Sequence, residues 1–147
     1  MKNLLGLFFA LSVTIAACGQ KLKEKDVPAA VKEAFQKQFG GAKEVEWEKE
    51  EGKFEVEFEQ NHKEMSAVFT ASGALEETEV EIKKEELPAS VLSYVSQNYK
   101  GEKIKEAAKI TKANGEINYE AEVKGKDLMF DANGNFLMAK EEKEDED

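Results

Sequence analysis

A chain of 147 residues is one ordinary domain or two very small ones, which excludes large multidomain enzymes. All 21 residues counted as Lys+Arg are lysine, against 31 Asp+Glu and a net charge of −10. Without arginine the chain lacks the planar fork that grips phosphate and guanine edges, so nucleic acid is not expected as a partner. One histidine and one cysteine exclude most His- or Cys-based metal sites and nucleophilic triads.

Residues 1–17 read as a secretory signal: a charge at Lys2, then an apolar run from Leu4 to Ala17 too short to stay as a membrane span. Ile15-Ala16-Ala17-Cys18 resembles the lipobox of bacterial lipoproteins. That resemblance implies lipidation of Cys18, cleavage before it, and a protein held on the cell envelope, facing the periplasm from the outer membrane or exposed at the surface. An ordinary secretory signal with a chance cysteine is the alternative. Residues 18–26 lack apolar periodicity and are expected to be a solvated tether. Residues 141–147 (EEKEDED) are expected to be a self-repelling, disordered acidic tail.

Between these ends the chain repeats, over 27–82 and 87–140 with a polar joint at 83–86. Val27, Val31, Phe35 and Phe39 draw an apolar stripe along one predicted helix, and Leu87, Val91, Val95 and Tyr99 draw the same stripe in the second copy. Pro28 and Pro88 fall at the helix starts, Gly40-Gly41 and Gly101 at the ends. After each helix the period drops to 2. Val45, Trp47, Phe54, Val56 and Phe58 alternate with glutamates, as in strands buried on one face. Glu51-Gly52 reads as a hairpin turn, and further strands are expected near 65–70 and 74–82. The second copy predicts strands near 103–112, 116–123, 126–131 and 135–139, and Phe69 to Gly73 and Phe130 to Gly134 share an F-x-A-x-G turn. The fold class is therefore α+β: two α-β-β-β-β units, helices on one face of antiparallel sheet, either as two sheets or as one continuous eight-stranded sheet.

Candidates for chemistry are few. His62 is a loop residue, and the serines have no His or Lys arranged as a base, so no catalytic residue and no cofactor are assigned. Asp131-Ala132-Asn133-Gly134 starts like a calcium loop but lacks the later acids of one, and a hairpin turn explains it better. No metal ligand set is assigned. A carboxylate pair for hydrolysis is not excluded by spacing. The acids of the first copy stand out. If the apolar positions face the helix, then Glu44, Glu46, Glu48, Glu55, Glu57, Glu59, Glu79 and Glu81 share the opposite face. Lys105, Lys109 and Lys112 are expected to neutralise Glu120 and Glu122 in the second copy, leaving the first uncompensated. That face is either a solvated surface relieved by Lys49, Lys53 and Lys63, or a docking face for a cationic protein, peptide or metal ion such as Ca2+.

The helix openings L/V-P-x-x-V, the strands at Phe54 to Phe58 and Tyr119 to Val123, and Phe130 to Phe136 (FDANGNF) together resemble the PepSY-like periplasmic proteins. These are lipid-anchored or secreted proteins of Bacteroidota similar in fold to the β-lactamase-inhibitor protein. The resemblance covers 27–140 and implies a non-enzymatic module that binds or inhibits proteins, against the alternative of a structural envelope protein without a specific ligand.

Overall fold

The structure, a computed structural model, describes residues 20–141. Nine antiparallel strands lie side by side in chain order: β1 (Gln20–Leu22), β2 (Lys43–Glu50), β3 (Lys53–Gln60), β4 (Lys63–Phe69), β5 (Leu75–Glu81), β6 (Ile104–Lys112), β7 (Ile117–Val123), β8 (Lys126–Asp131) and β9 (Phe136–Glu141). Helix α1 (Ala29–Gln38) connects β1 to β2, and α2 (Ala89–Asn98) connects β5 to β6. The two units thus share one continuous sheet.

Each helix starts on its proline, whose carbonyl accepts the first helical hydrogen bonds, Val31 N–H in α1 and Val91 N–H in α2. Val31 and Val91 are fully buried, and each stripe sinks onto the strands of its own unit. Phe35 meets Trp47 edge-on at 5.3 Å and Phe58 at 5.1 Å. In the second unit Tyr94 meets Phe130 edge-on at 5.4 Å and stacks on Phe136 at 4.6 Å. On the helix side the apolar core is split into two clusters, one under each helix, and the continuous sheet joins the units.

The F-x-A-x-G turns clamp each helix to its sheet. Gly73 and Gly134 hold φ of 85° and 77°, and a Cβ on either would strike the start of the helix, at the Ala30 carbonyl in one unit and at Ser90 in the other. The Ser90 hydroxyl also donates to the Asn133 carbonyl at 2.7 Å. Tight two-residue turns close other hairpins: Glu51-Gly52, and Asn61-His62 with φ of 55° and 61°, as a type I′ turn demands.

Two expectations change here. The sheet has nine strands, because Gln20–Leu22, expected to be part of the tether, pairs with β2: Gln20 with Lys49, Lys21 with Glu48, Leu22 with Trp47. A half-buried Leu22 packs against the first core, and one apolar side chain in a lysine-rich run leaves no periodicity to read. Val45, expected in the core, is 38% exposed, because a bulge between Lys43 and Glu46 shifts the register just before Trp47. Glu141, expected to open the disordered tail, instead ends β9 opposite Lys126 and pairs with it; the leader, Cys18 and 142–147 lie outside the described residues.

Candidate functional site

Period-2 alternation sends every second side chain of β3 to β8 away from the helices. The ladder then fixes who meets whom on that face: Glu57 stands across from Ser66, Ser66 from Glu79, Glu79 from Ile110, and Ile110 from Asn118. One row along, Glu55 faces Val68 and Val68 faces Glu77. Glu120 lies between Ala108 and Met129.

This face is hollow. Ile110 on β6 packs with Met129 on β8, and Val68 on β4 joins them. A flat sheet, with strands about 4.8 Å apart, would hold such alternate-strand side chains roughly 10 Å apart at their bases. Their contact requires the sheet to curl toward this side. Beneath these apolar side chains lies a polar floor: Ser66 and Glu79 are each 2% exposed, Glu120 4% and Asn118 6%.

That floor is under-satisfied. Both carboxyl oxygens of Glu79, the Ser66 hydroxyl and Oε1 of Glu55 have no hydrogen-bond partner among the described residues. Burial of these acids dominates their ionisation. It pushes Glu79 well above the ordinary carboxylate range, with the nearby charges of Glu120 and Glu55 adding to it. Glu55 rises to about 8, from burial first and then Glu57 and Glu48. Glu57 rises to about 7 for the same reasons, with Glu48 and Glu46 as neighbours. Glu120 rises to about 8 through burial and Asp127, against the opposing charge of Lys140. Burial and mutual repulsion thus both favour the protonated form of the acids at the centre of the face, and taking up protons relieves the like-charge repulsion between its strands.

The expected acidic set maps onto this face unevenly. Glu46, Glu48, Glu55, Glu57, Glu59, Glu79 and Glu81 project from it, with Glu46 and Glu81 exposed at its margins. Glu44 sits in the bulge at φ 52°, where Lys43 and not Glu44 stands across from Glu59. The expected pairing in the second unit forms only in part. Lys105 Nζ meets Glu122 at 3.0 Å, but Lys109 is paired with Tyr119, which packs on the helix-side core, so it cannot reach Glu120. A register shift between Ile104 and Glu106 puts Lys105 and Lys109 out of step. Glu77, Ser66 and Glu120 were missed as members of the site. Glu77 and Glu120 carry the same alternation as their neighbours, whereas Ser66 is recognisable only from its ladder partner.

The remaining candidates resolve into turns. Asp131 accepts from the Asn133 and Asn135 backbone and from the Asn135 amide, bonds that hold its carboxyl below its usual range. His62 is exposed in its hairpin, 3.8 Å from Glu59. Among the described residues no group of three or more His, Cys, Asp or Glu is placed to hold a metal ion.

The family model described as "Putative beta-lactamase-inhibitor-like, PepSY-like" matches the chain twice, over 14–75 and 62–138, in keeping with the tandem repeat. Among solved structures the fold is similar to that of a "putative periplasmic" protein of Bacteroides eggerthii, with TM-score 0.70 and 15% identity over 78% of this chain and 88% of that one. It is similar as well to a DUF2874 family protein of Bacteroides uniformis, with TM-score 0.68 and 18% identity over 78% and 88%. A third likeness is to a BLIP-like protein of Bacteroides fragilis, with TM-score 0.59 and 23% identity over 82% and 92%. No curated protein matches the chain. With the repeat, the helix-on-sheet units and both matches in agreement, the chain belongs to the β-lactamase-inhibitor-like, PepSY-like family.

Proposed function

We propose that the chain is a non-enzymatic binding module of the cell envelope, lipid-anchored through Cys18 on the periplasmic side of the outer membrane, that docks a cationic protein or peptide on the face of its sheet turned away from the helices. The observation that carries this reading is the acid-lined face itself, with Ser66, Glu79 and Glu120 buried at its centre beside Val68, Ile110 and Met129. A nine-stranded sheet fixes the positions of its acids rigidly, so an incoming cation meets a preformed surface. The BLIP-like relative of the same fold supports a protein partner in preference to a small-molecule substrate.

Raised carboxyl pKa values alone would also suit a hydrolase. Three cavities among the described residues, one between β1, α1 and β2, one by the Lys83–Glu86 joint and one beside the Asn61-His62 turn, are lined by none of the raised acids Glu55, Glu57, Glu79 and Glu120. We read the face as one for docking, which calls for no bond-breaking step. With Gly19 alone between Cys18 and β1, an acylated Cys18 would hold the β1 edge of the sheet close to the membrane.

The test compares wild type with a Glu46→Gln, Glu48→Gln, Glu57→Gln variant as baits against an envelope extract. A partner that elutes with salt from the wild type and is not retained by the variant supports docking on this face. Equal retention by both baits refutes it. Membrane fractionation of Cys18→Ala tests the anchor, which is refuted if the variant and wild type distribute alike.

A further inference from the structure

The centre of this face differs from its rim in having buried polar atoms with no hydrogen-bond partner among the described residues. Glu79 is 2% exposed with both carboxyl oxygens unpartnered, and Ser66, its direct neighbour across the β4–β5 ladder, is equally buried with its hydroxyl unpartnered. A fold bears a cost for each such group left unmatched, and a ligand that supplies the missing partners recovers it. Immediately beside them is an apolar strip, Val68, Ile110 and Met129, with Ile110 the partner of Glu79 across the β5–β6 ladder. The subsite thus pairs a deep acceptor cluster with a short apolar wall, and a ligand matching both has a charged donor at the end of a hydrocarbon stem.

We propose that this subsite takes the ammonium group of a lysine side chain presented by a partner polypeptide, with Glu79 and Ser66 accepting its N–H donors and its methylenes lying along Val68, Ile110 and Met129. This rests on the docking face proposed above and names what its centre recognises. A lysine ammonium brings three donors on a narrow, flexible stem, suited to acceptors on two adjacent strands. Arginine brings a wide planar fork that needs a carboxylate presented edge-on. A divalent metal needs several oxygens converging on one point, and the described acids are not so placed. Met129 is the pliable part of the wall, an unbranched side chain able to move aside for the stem.

The binding step moves one proton. The charged groups facing Glu79 are Glu55 from β3, Glu77 on its own strand, Glu120 from β7 and Asp127 from β8, while Lys112 and Lys140 act on Glu77 at the margin. Burial first, and then the surrounding acids, favour the protonated form of Glu79 in the free protein. An arriving ammonium stabilises the carboxylate instead, so the Glu79 proton passes to solvent as the ion pair forms. Affinity therefore rises with pH up to the point where lysine itself deprotonates.

The experiment is calorimetric titration of the full chain with end-blocked tetralysine and end-blocked tetraarginine at pH 7, in buffers of different ionisation enthalpy. The expected result is that tetralysine binds with release of about one proton and tetraarginine binds at least about tenfold more weakly, with Glu79→Gln abolishing the release and the preference. Ser66→Ala should weaken tetralysine a few-fold and leave the proton release in place. The wild-type proton count stands whether or not either variant folds. Equal binding of both peptides without proton release overturns the lysine assignment and leaves the docking face intact, whereas binding of neither peptide overturns both.

Discussion

Leu22 pairs with Trp47 at the outer edge of the first unit just as Ile82, whose N–H donates to the Ala107 carbonyl, pairs at the entry to the second. The same 3₁₀ turn and helix follow each: 24–26 then α1, 84–86 then α2. β5 therefore closes the first unit and opens the second, and β1 is the opening strand the first unit would otherwise lack. Leu22→Ala should destabilise the chain by about 1–2 kcal/mol, below the cost at a fully buried leucine because Leu22 is only half-buried. Urea unfolding measures it, and no change would mean that the first core is complete without β1.

Gly73 and Gly134 occupy equivalent turns, but a methyl group at each would meet different atoms. At Gly73 it meets the Ala30 carbonyl, backbone that cannot step aside, and at Gly134 it meets the Ser90 hydroxyl. Both substitutions carry the left-handed penalty of about 1 kcal/mol. Gly73→Ala should add overlap with the helix backbone and cost roughly 2–4 kcal/mol, while Gly134→Ala, whose worst overlap eases only if the Ser90 hydroxyl rotates and gives up its bond to the Asn133 carbonyl, should cost less, about 1–3 kcal/mol. Equal thermal shifts in the two variants would show that the helix starts yield equally.

Lys105 and Lys109 make a contrasting pair in the second unit. Lys105→Met removes the partner of Glu122, which is 6% exposed, and should cost about 1 kcal/mol once the exposure of the lysine is allowed for. Lys109→Met, next to Tyr119 and away from the acids, should stay within about 0.5 kcal/mol of wild type. Paired denaturant melts distinguish them, and a larger loss for Lys109 would contradict the register of β6.

The repeat was legible in the sequence because its signals are local: a four-residue stripe, a proline before it, a glycine turn after it. The alternation of Phe54, Val56 and Phe58 with Glu55, Glu57 and Glu59 likewise carried the two faces of the sheet. The misses all involve pairing across strands. The bulges at Lys43/Glu46 and Ile104/Glu106 move Glu44 and Lys109 off the positions that simple alternation gives them. β1 has too few residues to show a period. The curl of the sheet arises from nine strands together, and it converts what reads as a solvated row of glutamates into a buried one. No single segment encodes that burial, so neither the protonation of Glu79 nor its isolation with Ser66 has a local signature.

The buried acids make the stability of the chain depend on pH in the opposite sense to ordinary acid denaturation. Glu55 ionises near 4.5 in the unfolded chain and at about 8 in the folded one, Glu57 at about 7 and Glu120 at about 8, and burial raises Glu79 in the same direction. A carboxyl whose folded pKa is raised holds its proton more tightly when folded. Its stabilisation is complete below about 4.5 and is lost as the pH climbs from there through 7 to 8. A tenfold difference in proton affinity between the folded and unfolded chain is worth about 1.4 kcal/mol, and with relaxation and coupling of the acids the chain should lose on the order of 2–4 kcal/mol between pH 5 and pH 9. Replacing Glu55 and Glu79 by glutamine, which keeps the size of the protonated acid, should flatten that profile and leave the variant more stable than wild type at pH 9. Equilibrium melts of both proteins at pH 5, 7 and 9 provide the measurement. Wild-type stability that stays level or rises across this range would mean that water reaches these carboxylates and that the floor of the hollow face is not dry.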